Sequence, residues 1–563
     1  MKQKRRDFIR QFGKIGGVGL FASAPILSWA NSSENNKVSH AGFEETEFKI
    51  SILQTTDVHC QVHPHDEFFW EEDKPVFRKT GGYAHLATFF EKQKKNNPHT
   101  FIIDTGDMFQ GSELAVQTVG KAIPPILNAL GYHLYLPGNW EVVYGKKNMQ
   151  TLMGSLHSPK VCANMYHDLG NGNKGALIFP PYYIWNVKNI KIGFLGYTDP
   201  LVPIRQSPNY SKGIIYTKPE ENLAYYVDVL RNQEQCEYVI LLSHLGLSQQ
   251  IYLSNREECN GVDYILGGDT HERVRKPIVG KYAKVVEPGA FGSFVGKLDL
   301  TIQNGKVIKD EYELIELNSE KQKPSKHIED LIKSNEAPFI NDINQIAGYS
   351  TIPLYRYYVV ENTIDTLILD ALKWKLEDID IVLSNGFRFC PPLATPDHTG
   401  NIPITNGFIY DMLPVNSIVR TAEITGKQLH GWLEKELNNV FAKDASQRIG
   451  GWVIKFKGMK IKFNAYDEKG SRVKNISVNN EDINDNKIYK ISACERDGDP
   501  EDMLCRIKGV VNAKNTDYSM HQLIKEYLKA NSPVTPSLPL SARILDAPQT
   551  LLTQVYGVDY QFR

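Results

Sequence analysis

Five short polar motifs stand in order along the chain, each directly after an apolar run. They are Asp57-Val58-His59, Gly106-Asp107, Gly138-Asn139-Trp140-Glu141, Ser243-His244 and Gly267-Gly268-Asp269-Thr270-His271. Singly each is weak, because Gly-Asp is a common turn and an Asp-x-His is more often a loop than a site. Their joint order points to coordination chemistry. Two neighbouring divalent ions repel each other, and a shared carboxylate offsets that repulsion while His, Asp and Asn complete each shell. Asp107 is the natural shared ligand, and Asn139 adds an oxygen without adding charge. The candidate metal ligands are Asp57, His59, Asp107, Asn139, His244, Asp269 and His271, around two divalent metal ions, with hydrolysis as the chemistry.

Ligands so far apart in sequence converge only if loops at strand ends carry them. Apolar runs at 50–53, 100–103, 190–195, 238–242 and 264–266 each stop at Asp, Gly, Ser or His, and helical stretches such as 84–95 and 220–231 lie between them. That alternation predicts an α/β fold with its site at the strand C-terminal ends. Residues 285–300 and 306–317 read as late strands. A charged, Pro-containing break follows, so 47–318 is expected to form a first domain and 319–350 a linker with a connecting helix over 326–345. A second α/β domain is expected over 351–546, opened by the amphipathic segment 362–375, with a tail at 547–563.

The 563 residues are 41% hydrophobic and 23% charged, which allows two or three domains with full cores. Residues 1–30 carry a net charge of +5 and the remainder about −6, so nothing in the rest of the chain suggests nucleic-acid binding. The basic start, the Gly-rich apolar stretch 15–27 and Ser28-Trp29-Ala30 have the layout of a cleavable export signal. Lys4-Arg5-Arg6-Asp7-Phe8-Ile9 resembles the twin-arginine consensus, which exports folded proteins, so residues 1–30 are expected to be a twin-arginine signal peptide, 31–46 a linker and the protein periplasmic. No later apolar stretch has spanning length, and no membrane association is expected after cleavage. Seven cysteines without a C-x-x-C pair are expected to be mostly core thiols, with one or two bridges open.

The motif set resembles the calcineurin-type metallophosphoesterase fold in its 5′-nucleotidase branch, over about residues 49–545. The resemblance implies an N-terminal four-layer αββα metallophosphoesterase domain with mixed sheets and a C-terminal α/β substrate domain. It places Asp57, His59, Asp107 and His271 on a first metal, and Asp107, Asn139, His244 and residue 269 on a second. It also implies that Glu141 orients the ligands and that Arg388, after Asn385-Gly386, binds an anion; the open alternative for Arg388 is a surface or interdomain salt bridge.

Two departures from the branch shape the functional expectation. Where the branch reads Gly-His-x-His, Asp269 follows Gly268, and a harder carboxylate oxygen tilts the second site towards manganese over zinc; loss of the second metal is the alternative. Where nucleotidases read Gly-Asn-His-Glu, Trp140 replaces the His that assists the leaving group. Trp cannot titrate, and losing a general acid costs a factor of roughly 10² to 10⁴ with a poor leaving group. A thiolate hardly needs protonation, since a cysteine thiol has a pKa of about 8.5.

The chain in this respect is similar to the sulfur-oxidation thiosulfohydrolase (SoxB) family. Residues 80–88, 106–112, Trp140-Glu141 leading to Tyr144-Gly145, 384–389, 413–416 and 447–451 carry the similarity. Asn139 departs from that family's His. The stretch 492–500 lacks the Phe and double Gly with which nucleotidases stack a base. Three readings follow. One is a hydrolase in which metal-activated water attacks a sulfonate or phosphate ester, most like release of sulfate from a cysteine-bearing carrier protein. The second is a periplasmic 5′-nucleotidase or phosphodiesterase acting on a small anionic substrate. The third is a non-enzymatic binding protein on the same scaffold.

Overall fold

Runs of Val, Ile, Leu and Phe that are apolar at every position, not at alternate ones, belong to strands covered on both faces. The computed structural model, which describes residues 47–384, 390–449 and 452–553, shows this directly. The strands Thr100–Asp104 and Tyr238–His244 are buried at every residue, and Phe48–Thr55 is buried from its third residue on. The leader, the linker 31–46, Arg388 and the tail from residue 554 lie outside the described residues.

Two mixed sheets form the first half of the chain. In one, the order is Lys306–Glu316, Phe294–Gln303, Phe48–Thr55, Thr100–Asp104 and Leu134–Tyr135, with the last three parallel. In the other, the parallel strands Ile190–Thr198, Tyr238–His244, Tyr264–Leu266 and Lys284–Val286 are flanked by the antiparallel edges Tyr182–Val187 and Ile278–Val279. The sheets share one core: Phe101 of the first stacks on Phe194 of the second with ring centroids 5.1 Å apart. The helices Tyr83–Asn96 and Ile123–Leu130 pack on the first sheet and on each other, and Leu247–Ser254 packs against the second, which gives the αββα layering expected from the sequence. The helix Lys326–Glu336 adds Ile328 and Ile332 to this core.

In the second half, a five-stranded sheet runs in the order Lys455–Lys457, Ile381–Ser384, Ile488–Cys494, Ile418–Thr425 and Val511–Ser519. Successive residues alternate faces. Leu383 joins the core under the helix Gly426–Phe441, while Val382 joins the core under the helices Thr363–Lys375 and Met520–Asn531. Thr425 and Gln428 form a reciprocal capping box that starts the first of these helices where the strand ends.

A hairpin unforeseen in the sequence, His65–Glu71 with Lys74–Thr80, joins the two halves. Its two-residue turn, Glu72-Asp73, has both φ values positive (49° and 58°), a geometry usually filled by Asn-Gly, so the usual turn signal is absent. Phe68 on this hairpin stacks at 4.6 Å on Tyr357 of the second half, within an aromatic cluster that includes Tyr355 and Tyr358. Buried Arg273 donates to Glu67, to the Phe68 carbonyl and to the Tyr357 hydroxyl. All seven cysteines are free, five of them buried. Among the described residues no helix is long and apolar enough to cross a membrane.

Candidate metal centre

Each expected ligand sits where a core strand of one of the two sheets stops. Asp57 and His59 follow Phe48–Thr55, Asp107 follows Thr100–Asp104, Asn139 follows Leu134–Tyr135, His244 ends Tyr238–His244, and His271 follows Tyr264–Leu266. The loops are bonded to one another by backbone. Asp57 N–H donates to the Gly106 carbonyl (2.9 Å), His59 N–H to the Asp107 carbonyl (3.0 Å), and Gly246 N–H to the Gly268 carbonyl (3.0 Å). Asp57, His59, Asp107, Asp269 and His271 all adopt positive φ, between 50° and 90°, which is uncommon for non-glycine residues and concentrates at functional sites. Gly138 must be glycine, since a Cβ there would meet the Asp107 carboxylate and backbone nitrogen.

Two triads of donor atoms result, Asp57–His59–His271 and Asp57–Asp107–His244, all buried. His271 Nε2 is 3.4 Å from Asp57 Oδ1 and 3.1 Å from His59 Nε2. His244 Nε2 is 3.3 Å from Asp107 Oδ2 and 3.8 Å from Asp57 Oδ1, and Asp107 Oδ2 is also 3.6 Å from His59 Nε2. Asp57 is therefore the residue common to both triads, and Asp107 borders both.

The triads fit metal ions. Ligands at about 2.0–2.2 Å from one ion lie roughly 3–3.5 Å from each other. Asp57 Oδ1 and His244 Nε2 are buried and have no hydrogen-bond partner among the described residues. Nδ1 of His59 and Nδ1 of His244 are held by the carbonyls of Gln110 (3.0 Å) and Thr105 (2.7 Å), which turns each Nε2 into the cluster.

Charge follows the same geometry. Burial opposes ionisation of Asp57, but His244 and His271 outweigh it and hold the carboxyl far below its ordinary range. Burial lowers His59 to about 4, which keeps its imidazole neutral as a metal ligand requires. Against its own burial, His244 is raised by Asp107 and Asp57, so a cation at this point is favoured. Glu141 lies beneath, completely buried, and accepts from the N–H groups of Met108 (2.6 Å), Asp107 (3.2 Å) and Gly138 (2.5 Å). It ties the loop of Asp107 to the loop of Asn139. Trp140 N–H donates to Asp107 Oδ1 at 2.8 Å.

Asn139 and Asp269 stand outside the triads. The Asn139 amide nitrogen donates to Asp269 Oδ1, and its oxygen accepts from Gln206 (3.1 Å). Asp269 is also gripped by Arg205, which donates from Nη1 to Oδ2 (3.0 Å) and from Nη2 to Oδ1 (3.3 Å). Arg205, Gln206 and Asp199 are site residues missed in the sequence. They follow the strand Ile190–Thr198, so the rule that strand C-terminal ends carry function would have found them.

Comparison with known proteins agrees with this geometry. The family profile "Calcineurin-like phosphoesterase" matches residues 50–273, and "5′-nucleotidase, C-terminal domain" matches 343–493. The trifunctional nucleotide phosphoesterase protein YfkN of Bacillus subtilis is 22% identical over 92% of this chain, which spans 38% of that protein's length. A 5′-nucleotidase of Diplobatis ommata is 25% identical over 87% of this chain and 89% of its own. The fold is similar to that of the sulfate thiohydrolase SoxB of Thermus thermophilus (TM-score 0.76, 20% identity, 91% of this chain and 97% of that one). It is equally similar to a 5′-nucleotidase precursor of the same organism (TM-score 0.75, 21% identity, 89% and 100%). The chain thus belongs to the metal-dependent hydrolases that join a calcineurin-like phosphoesterase domain to a 5′-nucleotidase C-terminal domain.

Proposed function

We propose that the protein is exported by the twin-arginine route to the periplasm and hydrolyses an ester with a good leaving group, of which a cysteine S-sulfonate on a carrier protein is the best fit. The two triads, built from two carboxylates and three imidazoles, would hold divalent ions, manganese on this reading, and such ions acidify water and neutralise charge on the substrate. Water oxygen bonds to the sulfonate sulfur, the sulfur–sulfur bond breaks, its electron pair leaves with the cysteine as thiolate, and sulfate and two protons are released.

Trp140 carries this reading. Its backbone N–H donates to Asp107 Oδ1, so the position next to this ligand candidate carries an indole, which has no titratable proton, and a thiolate needs none. The stretch in which nucleotidases stack a base supports it too. Here Asp497 takes hydrogen bonds from Ser207 and Asn209, and Arg496 donates to the Ile204 carbonyl (2.6 Å), so the loop is tied down on the first domain. A 5′-nucleotidase activity is the second reading, favoured by the nucleotidase relative that aligns over 89% of its length.

The test is direct. Manganese-loaded protein is given an S-sulfonated cysteine peptide or AMP, and sulfate and phosphate are measured by ion chromatography. Sulfate release is expected, with AMP turnover at least a hundredfold slower. Trp140→His is expected to raise AMP turnover by roughly 10²-fold while leaving sulfate release unchanged within threefold. Efficient release of phosphate from AMP by the unaltered protein, without sulfate release, overturns the reading.

A further inference from the structure

Position 269 follows a glycine pair in the motif that ends at His271, and its carboxylate faces the second triad, with Oδ1 3.9 Å from His244 Nε2. Yet both of its oxygens are engaged elsewhere, by Arg205 and by Asn139. Arg205 closes the helix Val202–Arg205, and its Nη1 also donates to Asp199 Oδ2 at 2.8 Å. The two carboxylates are almost fully buried (3% exposed each), while the Arg205 side chain as a whole is 23% exposed. A fork held on one edge by two buried carboxylates is fixed in orientation, not a solvated side chain.

Its donors are incompletely used. Two hydrogens of Nη1 go to Asp199 and Asp269 and one of Nη2 goes to Asp269, leaving Nε–H and the other Nη2–H without an acceptor among the described residues. The segment is pinned from outside by the second domain: Arg496 holds the Ile204 carbonyl, and Ser207 and Asn209 hold Asp497. Gln206, the next residue, reaches Asn139. Arg205 is thus set between the interdomain contact and the metal centre, one carboxylate away from His244.

Resting on the reading of this site as a metal-dependent ester hydrolase, we propose that Arg205 is an anion-binding residue of the active site. Its free N–H edge takes an oxygen of the tetrahedral substrate oxyanion, sulfonate or phosphoryl, and Asp269 with Asp199 positions it. Asp269 on this account is not a metal ligand. A guanidinium fork matches two oxygens of such an anion and stays charged at every working pH.

The experiment uses the manganese-loaded full-length protein, with inorganic phosphate and sulfate as probes in calorimetric titrations and bound manganese counted by elemental analysis. Arg205→Ala is expected to weaken phosphate and sulfate binding at least tenfold with manganese content unchanged. Arg205→Lys, which keeps a charge between Asp199 and Asp269 and so preserves the local fold, is expected to weaken it at least threefold. Asp269→Ala is expected to bind as many manganese equivalents as the unaltered protein but to bind phosphate as poorly as Arg205→Ala. Loss of one manganese equivalent in Asp269→Ala, or phosphate affinity in both Arg205 variants within twofold of the unaltered protein, overturns the proposal. These are binding readouts, so a protein that fails to hydrolyse S-sulfonates sinks the substrate reading without deciding this one.

Discussion

Glu141 is the most economical place to separate ligand positioning from ligation, because it touches no triad donor atom by side chain yet organises two of their loops. Glu141→Gln keeps size and shape. In the native arrangement Oε1 takes the Met108 N–H, and Oε2 takes those of Asp107 and Gly138. A carboxylate accepts at both oxygens, whereas an amide must point its NH₂ at one of these donors. The better orientation keeps the amide oxygen on the Asp107 and Gly138 side and strands the Met108 N–H. A buried donor without a partner costs about 1–3 kcal/mol, and the two remaining bonds lose their charge assistance, so the loss comes to about 3 kcal/mol. At about 1.4 kcal/mol per tenfold, local opening of the 106–108 and 138–141 loops becomes roughly a hundredfold more frequent. Hydrogen exchange followed by mass spectrometry in chelator-treated protein reads this directly at about pH 9, where Glu141 is ionised even though burial and Asp107 raise its carboxyl to about 8. Peptides spanning 104–112 and 136–142 should exchange roughly a hundredfold faster, the distant Ile418–Thr425 strand should not change, and manganese affinity should fall by tenfold or more. Exchange in both peptides within threefold of the unaltered protein would refute the reasoning, because Glu141 would then be a spectator.

Two further substitutions probe the frame around the site. Glu113 is 1% exposed, and burial, with Asp342 beside it, raises its carboxyl to about 7 from an ordinary 4.5. A raised folded pKa contributes stability that is complete below about 4.5 and is lost as pH climbs through 7, so Glu113→Gln should match the unaltered protein near pH 4.5 and exceed it by about 2 kcal/mol at pH 8, read from urea midpoints. Arg273→Ala strands Glu67 in the interior between the two halves and should cost about 3–5 kcal/mol in thermal unfolding, whereas the double change Glu67→Gln with Arg273→Met should recover most of it.

What was legible in the sequence has a physical basis. The strands at 50–53, 100–103, 190–195, 238–242 and 264–266 are mostly apolar on both faces, apart from Ser51, Thr100 and Lys191, because both faces are largely covered, and each one is present. Five ligand candidates, Asp57, His59, Asp107, His244 and His271, follow from the rule that polar groups at the ends of such strands converge, and the structure brings them together. Asp269 and Asn139 were read from their place in a motif, but a motif does not show what lies across the cleft. Arg205 comes from a strand end 64 residues earlier, and its pairing with Asp269 is decided by tertiary approach. The hairpin at 65–80 escaped because its turn residues, Glu72 and Asp73, adopt a conformation that their side chains do not advertise.

The same limit applies to the conformation of the ligands themselves, and it bears on how stability and metal binding are linked. Asp57, His59, Asp107 and His271 are non-glycine residues at positive φ, a placement that costs roughly 1 kcal/mol or more each and that no local sequence signal reveals. The fold holds them there with interlocked loop carbonyls, with Glu141 below and with the glycines at 106, 138 and 268, whose missing side chains let backbone and carboxylate approach. Carboxylates and imidazoles converging in a buried cluster add a further cost, since Asp57 Oδ1 and His244 Nε2 have no hydrogen-bond partner among the described residues. Both costs belong to the folded state alone. A cation bound by these triads removes the second and is absent from the unfolded chain, so each tenfold excess of free metal over its dissociation constant adds about 1.4 kcal/mol to stability. The hydrogen bonds that hold these loops together use no metal, and a bound cation adds to their stability, which is the order that a positioned hydrolytic centre requires.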